Sequence, residues 1–158
     1  MLLKQPQNII KNLKKKKLKI SLAESCTGGM LANQITSVNG ASKVFELGMV
    51  TYSNQAKINT LLVPKEIIKK YGAVSKECCE IMAKNIKKIG KSDIGVSITG
   101  IAGPDGGSFK KPVGLVYVGI VKNTKFKLKK FLFDKKLSRL KIQKKTCLNT
   151  FKLIQELI

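Results

Sequence analysis

The chain opens on a helical repeat. From about Gln5 to Lys16, Ile9, Ile10 and Leu13 recur at helical spacing with lysines between them, which predicts an amphipathic helix. The pattern then shortens to LKISLA (Leu18 to Ala23), an apolar run that ends in small polar residues and predicts a buried strand. Met30 to Val38 returns to helical spacing and stops at Asn39-Gly40. Val44 to Ser53 is β-branched and aromatic enough for a strand, and Asn54 to Leu62 reads as a short helix capped by Asn54. Pro64 opens a further helix through Tyr71, closed by Gly72. Ser75 starts a longer one to about Ile89, with Ile81, Met82, Ile86 and Ile89 as its apolar face. Asp93 to Thr99 is a second buried strand and Val113 to Val121 a third. Asn123-Thr124 turns the chain back into Lys125 to Phe133. The last segment, Leu137 to Ile158, is helical, with Leu140, Leu148, Phe151, Ile154 and Leu157 on one side. Strands interleaved with helices imply a layered α/β domain with a mixed sheet, and the hairpin at 113–133 supplies an antiparallel edge.

Composition narrows what such a domain does. The 158 residues suit one domain, residues 1–158. No histidine is present, which removes Ser-His-Asp and Cys-His hydrolases, HExxH zinc enzymes and every imidazole base. The 31 Lys+Arg against 9 Asp+Glu give a formal net charge of +22, and Arg139 is the only arginine among them. A surface built to hold phosphates or bases would draw on the bidentate fork of arginine. Lysines spread along the chain, densest at Lys14 to Lys17 and from Lys122 to Lys145, fit a background composition filling exposed positions. Nucleic acid is therefore not an expected partner, and a lysine-rich nucleic-acid-binding protein stays as a minor alternative. No stretch approaches the ~20 apolar residues of a membrane span, so no membrane partner is expected. The opening MLLKQPQNIIKNLKKKK places its charge after its apolar residues, unlike a signal peptide. Cys26, Cys78, Cys79 and Cys147 have no metal-ligand spacing, and adjacent Cys78-Cys79 make a poor disulfide framework. A reduced, cytoplasmic protein fits these cysteines.

Two glycine-rich loops follow buried strands, where ligands bind in open α/β sheets. In Glu24-Ser25-Cys26-Thr27-Gly28-Gly29 the chain passes from strand to helix, so the amides near Thr27 to Gly29 are expected to be free helix-start donors for a phosphate or an oxyanion. Ser25, Cys26 and Thr27 are all candidate nucleophiles, and a plain capping loop is the alternative. Thr99 to Gly107 contains four glycines within eight residues, either a backbone nest for an anion or a surface turn. Gly90-Lys91-Ser92 resembles the end of a phosphate loop, but Asn85 stands where a glycine is required. Without histidine, a serine nucleophile needs another base, and a desolvated lysine can serve. Among the few carboxylates, Glu24, Glu46 and Asp105 stay open as participants.

SLAESCTGG, GMVTYSNQAK, GAVS and SITGIAGPDGGS followed by KPVG, in that order from about Leu18 to Gly119, closely resemble the nicotinamide-nucleotide amidohydrolase family, also known as the CinA carboxy-terminal domain. The resemblance implies a three-layer α/β/α sandwich with a mixed, mostly parallel sheet. It implies hydrolysis of the carboxamide of nicotinamide mononucleotide to nicotinate mononucleotide and ammonia, a step of pyridine nucleotide recycling, with a small-molecule nucleotide as substrate and no cofactor or metal. By position, Ser25 would be the nucleophile, Lys57 its base and Tyr52 a proton relay or orienting hydroxyl. Thr27, Gly28 and Gly29 would offer amides, and Thr99, Gly100, Ala102 and Gly103 would line the site. The resemblance also implies the stand-alone form of the domain and a homodimer.

The departure lies near the carboxyl end. Where the family commonly has a turn glycine with an arginine and then a further arginine, this chain has Phe133-Asp134-Lys135-Lys136-Leu137 and Lys141. Lysine keeps the charge and loses the fork, so a phosphate there would be held by lysine. The resulting alternative is a catalytically weak or inactive nucleotide-binding homologue.

Overall fold

A computed structural model describes residues 4–158. Met1 to Leu3, part of the opening segment contrasted above with a signal peptide, lie outside the described residues. The elements run α1 (Lys4–Lys16), β1 (Ile20–Glu24), α2 (Met30–Thr36), a short 3-10 turn (Ala41–Lys43), β2 (Phe45–Val50), α3 (Asn54–Asn59), α4 (Lys65–Tyr71), α5 (Lys76–Ile89), β3 (Ile94–Gly100), β4 (Leu115–Lys122), β5 (Lys125–Leu132) and α6 (Arg139–Leu157). The sheet order is β2-β1-β3-β4-β5. β1 is parallel to both β2 and β3, whereas β4 is antiparallel to both β3 and β5. Only β4 runs against the others, so the mixed α/β architecture holds, with the hairpin as its antiparallel edge.

The period-two alternation of the central strands sorts their side chains onto two unlike faces. Ile20 and Leu22 of β1, Ile94, Val96 and Ile98 of β3, and Val116, Val118 and Ile120 of β4 pack into one cluster with α1, α2 and α6. On the opposite face the same strands present Ser21, Ala23, Gly95, Ser97 and Gly119. Small residues there let α5 approach closely: a Cβ on Gly95 would fall on the Ala83 carbonyl of α5. Ser97 Oγ donates to the Cys79 carbonyl across that contact at 2.6 Å. Leu61, Val63, Met82 and Ile86 complete this second, smaller cluster, with Ile67 and Ile68 of α4 beside it. Helices on both faces give the three layers.

Three local expectations are corrected. The cap of α3 is Ser53, whose hydroxyl accepts from the Ala56 amide, rather than Asn54. The strand expected over Val44 to Ser53 ends at Val50, freeing Thr51 to Ser53 as a short connection into α3. On α6, Leu140 and Leu148 face outward, while Thr146 and Thr150 are fully buried. Both threonines donate to the carbonyl one turn back, Ile142 and Thr146 respectively. A hydroxyl satisfied by its own helix can sit in a core, so the apolar spacing mispoints this helix by part of a turn.

Candidate active site

The parallel strands β1, β2 and β3 all end at the same rim of the sheet, and the two glycine-rich loops meet there. Ser25 is the first residue after β1 and is 7% exposed. The turn that follows folds back on the residue before it. Glu24, 1% exposed, accepts from Thr27 Oγ1 (2.5 Å) and from the amides of Gly29 (3.2 Å), Leu31 (3.1 Å) and Ala32 (2.8 Å). Gly28 and Gly29 carry φ of 59° and 92°, values that L side chains rarely adopt, and their turn makes the fold-back feasible. On the outer side, Gln143 Nε2 of α6 donates to the Cys26 carbonyl at 2.8 Å.

Lys57 enters the same corner from α3. Side chains on a helix lean toward its N-terminus, and one turn into α3 that direction leads to the freed segment after β2. Lys57 is 1% exposed, and its Nζ donates to Ser25 Oγ (3.0 Å), to the Thr51 carbonyl (2.8 Å) and to the Tyr52 carbonyl (3.1 Å). No ion pair among the described residues involves it. Burial without a carboxylate partner pushes its pKa below the ordinary 10.5, only partly offset by the nearby thiols of Cys78 and Cys26. In the neutral amine two hydrogens stay on the two carbonyls, and the lone pair is left facing Ser25 Oγ. That is the arrangement of a general base on a serine.

The other sulfur and oxygen nucleophiles of the turn are disqualified by their surroundings. Burial raises the Cys26 thiol to about 12, so it stays protonated near neutral pH. The Thr27 hydroxyl is 2% exposed and committed to Glu24.

Ser25, Cys26, Tyr52 and Lys57 line a cleft of about 240 Å³ with Thr99, Gly100, Ala102, Gly103 and Asp105 on the facing wall. Thr99 is 1% exposed and braces that wall by donating to the Ala73 carbonyl at 2.8 Å. A larger cavity, about 420 Å³, lies between α1 and the end of α2 and contains no nucleophile beyond Ser37 at its rim. The chemistry of Ser25 and Lys57, not cavity size, locates the site.

Four readings change. Thr27, Gly28 and Gly29 do not line the cleft, and the start of α2 is not a set of free donors because Glu24 accepts from it. The Tyr52 side chain is 60% exposed, and its hydroxyl accepts from Arg139 Nη2 at 2.7 Å; the group it offers to Lys57 is its backbone carbonyl. Glu46 lies away from the cleft, paired with Lys19 at 3.5 Å. The cleft's cation comes from α6 but is not Lys141, which is exposed. It is Arg139, which also donates to the Gly103 carbonyl at 2.8 Å. Its signal in the sequence was its uniqueness, a single arginine in a chain that elsewhere uses lysine. Among the described residues no group of three or more His, Cys, Asp or Glu side chains could hold a metal ion, and no helix is long and apolar enough to cross a membrane.

The profile of the CinA C-terminal domain matches residues 3–158. The chain belongs to the CinA C-terminal domain family. The match reaches beyond the blocks between Leu18 and Gly119 and takes in α6 with Arg139. A CinA-like protein of Prochlorococcus marinus is 48% identical over 153 residues, covering 94% of this chain and 36% of that protein. The chain thus spans about a third of the length of the curated relatives it matches. The crystal structure of the competence/damage inducible protein CihA from Agrobacterium tumefaciens superposes with a TM-score of 0.96 at 33% identity, covering 99% of this chain and 94% of that one. A CinA superfamily protein of Escherichia coli gives 0.95 at 25% identity, covering 100% and 91%.

Proposed function

We propose that this CinA domain hydrolyses the carboxamide of nicotinamide mononucleotide, yielding nicotinate mononucleotide and ammonia, with Ser25 as nucleophile and Lys57 as general base. The observation that carries the proposal is the 3.0 Å contact between Ser25 Oγ and a buried lysine that has no counter-ion. The resemblance of the ESCTGG, YSNQAK and SITGIAGP segments supplies the substrate.

In the first step neutral Lys57 takes the Ser25 proton while Oγ bonds to the carboxamide carbon. Lys57, now an ammonium, returns the proton to the departing nitrogen, the C–N bond breaks and ammonia leaves. Water then adds to the acyl-enzyme with Lys57 again as base, and Ser25 is released with the carboxylate product. Cys26, Ala102 and Gly103 line the cleft, and the backbone amide of each donates to no other residue among the described residues, so these amides are the donors available to a developing oxyanion in place of the α2 start. Arg139, at the cleft, offers the substrate phosphate the forked cation that Lys141 does not. The domain acts as a cytoplasmic nucleotide-recycling enzyme on this reading and needs no cofactor.

The test is ammonia release from nicotinamide mononucleotide by the purified protein, beside Ser25→Ala and Lys57→Met variants shown to be folded. Activity in the wild type and its loss in both variants supports the proposal. A folded wild type that binds the nucleotide without releasing ammonia replaces it with a binding role.

A further inference from the structure

We propose that Glu24 is a positioning residue for the nucleophile: it fixes the Ser25 turn by closing the start of α2 back onto the end of β1. The inference rests on the serine-nucleophile reading above and goes beyond it, because it assigns the accuracy of Ser25 placement to a residue that touches neither substrate nor base.

Glu24 is one of nine acidic residues in a chain of net charge +22, yet it pairs with no lysine among the described residues. All the hydrogen bonds to its carboxylate come from the segment immediately downstream: one hydroxyl and three amides, from Thr27 to Ala32. Helix α2 has no side-chain cap of its own, since Gly29 occupies the cap position. Glu24 supplies that cap from before the turn rather than from within it, so the backbone between its Cα and Ala32 forms a closed ring. Ser25 is a member of this ring. Its Oγ meets Lys57 only if the ring holds its shape, because Lys57 is itself held by the Thr51 and Tyr52 carbonyls and cannot follow a displaced serine.

Two consequences separate this role from ordinary capping. First, the carboxylate places an acceptor where a substrate phosphate or oxyanion would otherwise be drawn, so anionic groups are directed to the facing wall and Arg139. Second, Glu24→Gln keeps the shape but turns one acceptor into a donor aimed at amide donors, which displaces the turn without deleting volume.

The experiment labels Ser25 with a fluorophosphonate, a probe independent of the nucleotide substrate. The Oγ–P bond forms, the P–F bond breaks, fluoride leaves and Lys57 takes the proton; mass spectrometry locates the adduct. In Glu24→Gln the limiting labelling rate is expected to fall about 100-fold, the scale of a displacement near 1 Å. The half-saturating probe concentration and the midpoint of the pH profile, set by Lys57, are expected to stay as in wild type. Thr27→Val removes a single contact to the same carboxylate and is expected to slow labelling by a smaller factor. A folded Glu24→Gln protein with a lower Tm but wild-type labelling well below that Tm overturns the inference, and so does a midpoint that moves with the variant. If Glu24→Gln does not fold, Thr27→Val decides: slower labelling supports the inference and an unchanged rate overturns it. A wild-type protein that acquires no adduct on Ser25 overturns the serine reading itself and this inference with it.

Discussion

The two glycine-rich loops occupy equivalent places, each following a central parallel strand, and they use glycine for opposite purposes. In the turn after β1, Glu24, Ser25, Cys26 and Thr27 are all buried, and positive-φ glycines let the chain close onto a single carboxylate. In the loop after β3, residues from Pro104 to Lys110 are exposed and Phe109 projects wholly into solvent. That loop is tied mainly at its ends, where Ile101 donates to the Leu115 carbonyl and Gly114 to the Ile101 carbonyl. A nucleophile has to be held to a fraction of an ångström against its base, whereas a substrate wall can adapt. Nucleophilic attack is therefore expected from the closed turn, and affinity together with part of the oxyanion support from the facing loop.

The strongest way to break this contrast is at the nucleophile. Ser25→Ala should lower kcat by about 10⁴-fold or more with little change in KM, as measured by ammonia release. Loss of binding instead would shift the serine from chemistry to recognition.

Next in size is the base. Lys57→Arg keeps a cation but cannot give it up, and should cost about 10³-fold in kcat. In the wild type, kcat/KM should rise with pH through the lowered pKa of Lys57 and level off below 10.5. The same group adds a sign to stability. Because the folded pKa is the lower one, the unfolded chain holds more protons between the two values, and stability increases with rising pH across that window. Lys57→Met should abolish this slope in denaturant titrations at several pH values.

On the open side, Arg139→Ala should raise KM by about 10- to 100-fold, the worth of a charge-assisted hydrogen bond, and leave the pH midpoint in place. An effect on kcat alone would remove Arg139 from substrate binding. The smallest pair compares the loops directly in thermal melts. Gly29→Ala forces a side chain into φ 92° and should destabilise by about 1–2 kcal/mol, whereas Phe109→Ser should stay within about 0.5 kcal/mol.

Much of the fold was legible along the chain because its signals are local. The apolar runs in ISLAE and IGVSIT, the Ser75 cap, and the Pro64 start and Gly72 stop of α4 depend on neighbours a few residues away. α6 was legible as a helix but not in its rotation, since Thr146 and Thr150 hide their hydroxyls on their own backbone and take core positions that their polarity argues against. The site divides in the same manner. Ser25, Lys57 and the facing loop were nameable from their motifs, whereas Arg139 entered only once α6 was packed against the rim, where it meets the Tyr52 hydroxyl while the Tyr52 carbonyl meets Lys57.

What the sequence determined by itself was the order of strands and helices along the chain and the absence of any imidazole, which leaves a hydroxyl or thiol nucleophile and a lysine or carboxylate base as the available partners for hydrolysis. Tertiary structure decided which lysine of thirty loses its water and counter-ions, since desolvation is a property of position and not of residue type. It also decided that Glu24 faces the amides of α2 rather than the cleft, a choice set by a backbone turn whose geometry only the packed strand and helix together impose.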